Sequence, residues 1–317
     1  MDEPGGKPLA SIILPTYNSP EYLAETIKSV LCQSYNHFEL IIVDDGSTEA
    51  TGRVLAGITD PRVRVIRHPG NYGVAKAYNT GIAASGGEFI GFIGSDDAWA
   101  PDLLKETMEC FSTLPAEFGV VYCDMWAVDP DNNQYYWHSP DMNGPDIVNR
   151  ETADFQASWL GNGPALFRRA CFDRAGLFDE QFRCHVDLDL FIRVSQQFRF
   201  FHLKKPLYFY RSHQGICSNA YDSGISKLQL IKKYPETATD PRFLARQCDL
   251  IIEALRRAQR QERYERPAGI TEHTLNLIER NVVHRVLPAG SRGYRLYHRV
   301  LEHCQRRLIP VLRSRAR

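Results

Sequence analysis

Three continuous apolar runs and a shorter fourth, separated by stretches of helical spacing, constrain the fold of this chain more than any other feature. Leu9 to Leu14, Phe38 to Val43 and Phe89 to Ile93 have the length of strands and no polar alternation, and Val63 to Ile66 reads as a further strand. Between them, Glu21 to Gln33, Thr48 to Ile58 and Val74 to Ala84 read as helices; Tyr22, Ile27, Val30 and Leu31 share a face of the first. Strands apolar on both faces, alternating with helices, predict a mostly parallel sheet covered on both sides.

Each strand hands chemically capable residues to its C-terminal end, the edge at which open α/β sheets hold ligands. The richest is Gly94-Ser95-Asp96-Asp97. Two adjacent carboxylates at a buried strand end repel each other unless a cation or a set of donors sits between them. A hard divalent ion bridging to phosphate oxygens resolves that repulsion. A turn before a helix at Pro101, with Asp102 in its first turn, explains the same residues without a ligand. Asp44-Asp45-Gly46-Ser47 has the same two readings, as a turn and helix cap or as a binding edge.

Beyond Pro101 the alternation loosens. Phe118 to Tyr122, Gly163 to Phe167 and Phe200 to Tyr210 read as strands, with a helix around Asp189 to Gln197. Asp129 to Asn133 is a turn, and Ser139 to Asn149 a loop. From about Ser223 the chain is mainly helical and Arg-rich, with breaks at Pro235, Pro241, Pro267 and Pro288. The expected division is therefore 1–225 and 226–317.

No apolar stretch approaches the roughly 20 residues that span a bilayer. The N-terminal residues lack the basic flank and apolar run of a signal peptide. Eight cysteines without a C-x-x-C pair point to reduced thiols in the cytoplasm rather than a disulfide framework. A net charge of zero hides an asymmetry: residues 231–317 hold 19 Lys and Arg against 9 Asp and Glu, leaving 19 against 29 in the first 230. Arg256, Arg257, Arg260 and Arg263, and later Arg295, Arg299, Arg306 and Arg307, lie beside apolar residues at helical spacing. Such helices suit packing on the core, a partner, or an anionic membrane. No nucleic-acid-binding module accompanies the charge.

Taken in order, Pro15-Thr16-Tyr17-Asn18, Val43-Asp44-Asp45-Gly46-Ser47, Asn71-x-Gly73 with Ala77-x-Asn79-x-Gly81, and Gly94-Ser95-Asp96-Asp97 resemble the motifs of an inverting family 2 glycosyltransferase of the GT-A fold. No single element is specific, but four in register are, and the resemblance runs from about Leu9 to about Ser218. It implies a GT-A type α/β nucleotide-sugar-binding domain followed by a helical extension. It also implies that Pro15, Thr16 and Tyr17 cradle the nucleobase and that Asp45 accepts from a pyrimidine imide N–H. Asn71 joins that donor site; Lys76 either reaches the diphosphate or is a solvated surface lysine. Asp96 would sit by the ribose and sugar, and Asp97 on the Mn²⁺ or Mg²⁺ that bridges the phosphates. Gly94 stands where the family often has a further acid.

Gly163 to Arg169 and Ala175 to Glu180 resemble the family's acceptor-side segment. They lead into Val186-Asp187-Leu188-Asp189-Leu190, similar to the usual Glu-Asp-x-Asp-Leu with Val186 in place of the Glu. The resemblance makes Asp187 the general base and sets Asp189 near the diphosphate, although acids at a helix N-terminus also satisfy the dipole alone. Tyr210-Arg211-Ser212-His213, with Ser218, resembles the tail that closes over the diphosphate, giving Arg211 a phosphate contact and His213 a place in the metal shell. Trp159, Asn162 and the loop from Tyr135 to Asp146 would line the acceptor side.

The implied function is metal-dependent, inverting transfer of a sugar from UDP or dTDP to a hydroxyl of a glycan or lipid-linked acceptor in surface polysaccharide assembly. The setting would be the cytoplasm or the inner membrane face. A non-catalytic nucleotide- or glycan-binding module competes, through Gly94 and Val186. A sugar nucleotidyltransferase would need a Gly-rich loop where this chain has Pro-Thr-Tyr-Asn.

Overall fold

The structure, a computed structural model, describes residues 9–139 and 163–211, together with Ser226, Gln229, Leu230, Lys233 and Tyr234. It divides into two compact units, Met1–Ile147 with Gln156–His213, and Val148–Phe155 with Gln214–Arg317. The basic C-terminal helices expected from the sequence lie outside the described residues.

The first unit opens with strand β1 (Ala10–Thr16), helix α1 (Pro20–Leu31), β2 (Phe38–Asp44), α2 (Glu49–Ala56), β3 (Val63–Arg67), α3 (Val74–Ala84) and β4 (Phe89–Phe92). These are the expected alternating elements, their boundaries moved by a residue or two. Apolar continuity drives them: Ile12, Ile13, Leu14 and Leu40 to Val43 are all fully buried. β5 (Ala98–Trp99) and α4 (Leu103–Thr113) follow, then β6 (Phe118–Val128), β7 (Gln134–Trp137), β8 (Ala165–Arg168), α5 (Ala170–Ala175), α6 (Val186–Ser195) and β9 (Arg199–Arg211).

Among the described residues nine strands form one mixed sheet in the order β3-β2-β1-β4-β8-β6-β9-β5, with β7 paired to β6. The first four run parallel. β8 enters antiparallel between β4 and β6. Leu23, Ile27 and Val30 of α1 and Leu103, Leu104, Met108 and Phe111 of α4 pack with Ile12, Leu14, Leu40 and Leu166 in one core cluster. On the other face Ala77 of α3 joins Ile41 and Val43, and a Cβ on Gly81 would stand 2.4 Å from Ile13 Cγ2, so α3 lies close against β1. The same face carries packed aromatics, with Phe92 edge-to-face against Tyr78, Phe167, Phe172 and Phe178, and Phe191 of α6 tilted against Phe167 and Phe200.

Two differences from the sequence reading matter for function. β6 runs on to Val128 instead of stopping at Tyr122, because β9 pairs with it in parallel over nearly its whole length. β7 falls where a loop was expected; all four of its residues are exposed, so it carries no buried face for hydrophobic patterning to reveal. One turn depends on glycine: Gly46 has φ +77°, and a Cβ there would lie 2.6 Å from the Gly70 backbone. That close approach brings the loop after β2 against the loop after β3. Cys32, Cys110, Cys123 and Cys171 are free thiols.

Candidate active site

The ends of β1, β2 and β4 gather the polar residues on one edge. Thr16 pairs with Asp44 across β1 and β2, and both are buried. The Thr16 hydroxyl has no hydrogen-bond partner among the described residues, an uncommon state for a buried polar group. Pro15 precedes it half-buried, while Tyr17 turns outward with its ring 42% exposed. An exposed ring beside an unsatisfied hydroxyl offers a stacking face and a polar contact to a planar ligand.

Asp44 and Asp45 divide their work. Asp44 Oδ1 accepts from the Ser47 amide at 2.9 Å and closes the turn, with the Arg67 guanidinium 3.5 Å from its other oxygen. Asp45 is buried and committed to the following loop. His68 Nδ1 lies 2.7 Å from Oδ1, the Tyr72 amide donates to both oxygens, and the Gly73 amide donates to Oδ2 at 2.8 Å. The sequence reading aimed this carboxylate at a base imide, but here its acceptor positions face the loop. A base N–H would have to displace one of those donors. His68 escaped the sequence reading; its place just past β3, where its amide donates to the Asp44 carbonyl, is the signal that finds it. Its Nε2 sits 3.0 Å from Thr80 Oγ1.

Asn71 is exposed in the same loop. Lys76, in the first turn of α3, lies 3.3 Å from Glu180, which also accepts from Asn79 at 2.9 Å. The Asn79 hydrogen bond, with the Lys76 contact, holds the Glu180 carboxyl below its ordinary range. The Lys76 ammonium thus faces the segment before α6 in this structure, through a half-exposed ion pair.

Gly94 is what allows the next two acids to fold inward. A Cβ at residue 94 would meet Asp96 Oδ1 at 2.7 Å and Asp97 Oδ2 at 2.8 Å, so both oxygens border one small volume that a side chain would fill. Asp97 is buried, and its Oδ2 accepts from the Tyr208 hydroxyl at 2.5 Å while Oδ1 accepts from the Arg211 amide at 2.9 Å. The Thr26 hydroxyl holds its carbonyl at 2.7 Å. Burial first, and the Asp96 charge second, push the Asp97 carboxyl from 3.8 up to about 7, against the pull of Tyr208 and Arg211. A carboxyl raised in the folded state binds its proton more tightly there than in the unfolded chain. Its contribution is thus fully present below pH 3.8 and is lost as pH rises through about 7. We expect metal-free protein to lose melting temperature across that window and Asp97→Asn to flatten the profile. An unchanged profile in Asp97→Asn would refute the assignment.

Arg211 differs from expectation. Its backbone serves Asp97, but its guanidinium pairs with Glu25 at 2.5 Å and lies 4.5 Å over the Tyr22 ring, both on α1. The side chain anchors the end of β9 and does not present itself to phosphate. His213, Trp159, Asn162 and residues 140–146 lie outside the described residues.

The two acids of α6 also part company. Asp187 is half-buried in the first turn, with Oδ1 accepting from the Leu188 amide at 2.9 Å, after His185 in the left-handed region at φ 57°. Asp189 is fully buried and gripped by Arg193 at 2.8 and 3.0 Å. The same guanidinium donates to the carbonyls of Ala175, Gly176 and Leu177. Asp189 therefore holds the 175–177 turn against α6 through Arg193.

Among the described residues no cluster of three or more metal-ligating side chains exists. Two converging carboxylates nonetheless suit Mg²⁺ or Mn²⁺ bound largely through substrate phosphates, since such ions take one or two protein carboxylates and complete their shell from ligand and water.

The family model of glycosyl transferase family 2 matches residues 11–176, just over half of the chain, including the C-terminal ends of β1, β2 and β4. The chain belongs to glycosyl transferase family 2. Among curated relatives, an uncharacterized glycosyltransferase of Rickettsia typhi is 30% identical over 196 residues, 59% of this chain and 60% of that protein. The putative teichuronic acid biosynthesis glycosyltransferase TuaG of Bacillus subtilis is 35% identical over 137 residues, covering 43% and 54%. The chain thus spans less than two thirds of the length of these family 2 relatives.

The fold is of the GT-A type. Staphylococcus aureus TarS in complex with UDP superposes with a TM-score of 0.61 at 18% identity, over 93% of this chain and 89% of that one. The mannosyltransferase PcManGT of Pyrobaculum calidifontis, in complex with GDP-Man and Mn²⁺, gives 0.55 at 16%, over 96% and 87%. At such identities the likeness concerns the fold alone. Among the described residues no helix is long and apolar enough to cross a membrane.

Proposed function

We propose that this family 2 chain transfers a sugar, with inversion, from a pyrimidine nucleoside diphosphate (UDP or dTDP) to a hydroxyl of a glycan or lipid-linked saccharide. The observation that carries the reading is the convergence of Asp96 and Asp97 over Gly94 at the ligand-binding edge of a family 2 sheet. TarS has been solved with UDP and UDP-GlcNAc, which supports the donor class. A teichuronic acid enzyme, and the chondroitin and hyaluronan synthases of Pasteurella multocida at 29% identity over 207 residues, support a polysaccharide acceptor. The cation excess of residues 231–317 supports work at an anionic membrane face.

In this reading the Tyr17 ring packs against the base and the Thr16 hydroxyl gains its missing partner. Asp97, with Asp96, would hold the Mn²⁺ or Mg²⁺, which supplies Lewis-acid neutralisation of charge on the leaving diphosphate. Asp187 takes the proton from the acceptor hydroxyl. The acceptor oxygen bonds to the anomeric carbon from the side opposite the diphosphate. The bond from that carbon to the diphosphate oxygen breaks, and its electron pair leaves with the nucleotide.

The test is thermal stability against UDP, dTDP, GDP and ADP, with and without Mn²⁺. A ligand at 100 times its dissociation constant adds about 2.7 kcal/mol. UDP or dTDP should stabilise wild-type protein when Mn²⁺ is present, and Asp97→Asn should lose the metal-dependent part. No shift with any of the four nucleotides would end the donor-site reading.

A further inference from the structure

Among the described residues, outside those used so far, a side-chain cluster on β6 and β9 is buried, charged and incompletely satisfied. Asp124 of β6 is 1% exposed, and both its oxygens are engaged. Oδ1 meets His202 Nε2 at 2.8 Å and the Ser139 amide at 2.8 Å, and Oδ2 accepts from the Tyr136 hydroxyl at 2.7 Å. The His202 side chain is 7% exposed and stacks on Tyr122, with ring centres 4.7 Å apart. Its other nitrogen, Nδ1, is buried with no hydrogen-bond partner among the described residues. In the tautomer that gives Nε2–H to the carboxylate, Nδ1 is an acceptor with no donor among the described residues.

The topology sets this cluster on the face and at the level of Asp187. Phe191 of α6 packs on Phe200 of β9 with ring centres 5.7 Å apart. Phe200 and His202, two apart on a strand, share that face. Only three residues join the end of α6 at Ser195 to the start of β9 at Arg199, so the helix runs back over the strand in the opposite direction. Moving one turn toward the helix N-terminus, from Phe191 to Asp187, covers about 5.4 Å. Moving from Phe200 to His202 covers about 6.6 Å the same way.

Further out on this face lie rings open to solvent. Trp126 of β6 is opposite Tyr136 of β7, with ring centres 5.3 Å apart. Tyr136 is 41% exposed, and the His138 ring stands edge-on to it at 4.3 Å. The Tyr136 hydroxyl is tied down to Asp124, so the ring is held rigid while its face stays wet.

We propose that Asp124, Trp126, Tyr136, His138 and His202 form a saccharide subsite that holds the acceptor chain beyond the hydroxyl that reacts at Asp187. Fixed aromatic faces suit the C–H faces of pyranose rings, and a sugar hydroxyl, directly or through one water, supplies the donor that His202 Nδ1 lacks. The buried negative charge and the polar tips of the rings suit a neutral saccharide and oppose an anionic lipid. This subsite rests on the glycosyltransferase reading, but its occupation needs neither donor nor metal.

The experiment is calorimetric titration of the full chain with cello-, chito- and manno-oligosaccharides of two to six units, in the absence of nucleotide and Mn²⁺. At least one series should bind, more tightly as the chain lengthens. Tyr136→Ala should weaken it about ten-fold, Tyr136→Phe should retain most of it, and His202→Phe should weaken it while leaving the UDP-dependent thermal shift intact. Absence of binding by all three series, or equal binding by wild type and Tyr136→Ala, would overturn the subsite. Self-association that Tyr136→Ala abolishes would also overturn it, assigning the rings to a second copy of the chain. If UDP fails to stabilise the protein while oligosaccharides bind, the donor-site reading fails and the subsite stands.

Discussion

Asp187→Asn is expected to lower kcat by about 10² to 10⁴, the usual worth of a positioned general base. The amide keeps the shape of the carboxylate and its capacity to accept from the Leu188 amide, so the start of α6 remains in place. What it loses is the ability to take a proton as the acceptor oxygen attacks. Loss of charge in the first helical turn costs about 0.3–1 kcal/mol through the helix dipole, so the melting temperature moves little. The nucleotide-dependent thermal shift should be unchanged, because nothing assigned to the nucleobase or diphosphate is touched. The effect therefore falls on kcat and not on donor affinity. Steady-state transfer kinetics, read beside melting curves, check all three statements. A non-catalytic binding module predicts no functional effect, and an Asp187→Asn enzyme with wild-type turnover would remove the base assignment.

The residues that sequence placed well are those whose role is written into local pattern. Continuous apolar runs such as Ile12 to Leu14 and Leu40 to Val43 admit only a doubly covered sheet, and the acids after them fall on its binding edge. What local pattern does not give is the long-range partner of each charge. Asp45 is two residues from Ser47, yet its carboxylate is taken by His68, Tyr72 and Gly73, more than twenty residues away. The Arg211 side chain is drawn to Glu25 on α1, and Lys76 to Glu180. A charge in a motif announces that it needs a partner without saying which. β7 was illegible for a different reason. Strand patterning reports burial, and a ribbon exposed on both faces has none to report. The Asp124–His202 pair joins β6 and β9 across 78 residues, and no spacing rule brings two such positions together.

Asp189→Ala, two residues beyond the proposed base, should fail in the opposite way, through folding and not through chemistry. The carboxylate is fully buried and pairs with Arg193, whose guanidinium also holds three successive carbonyls from Ala175 to Leu177. Removing one partner of a buried pair leaves the other charge uncompensated, at a cost of about 3–5 kcal/mol. For a domain of this size that corresponds to a fall of about 10 °C in melting temperature. Arg193→Ala should cost a comparable amount, because it strands both the carboxylate and the turn carbonyls. The double variant should cost less than the sum, since each single change already breaks the same pair. Below the melting transition, kcat per folded molecule should stay within a few-fold of wild type, as the Asp189 carboxylate is buried and committed to Arg193. A melting temperature equal to wild type would show that the ion pair contributes nothing. A loss of kcat like that of Asp187→Asn, with stability intact, would return Asp189 to the chemistry and undo the division of labour along α6.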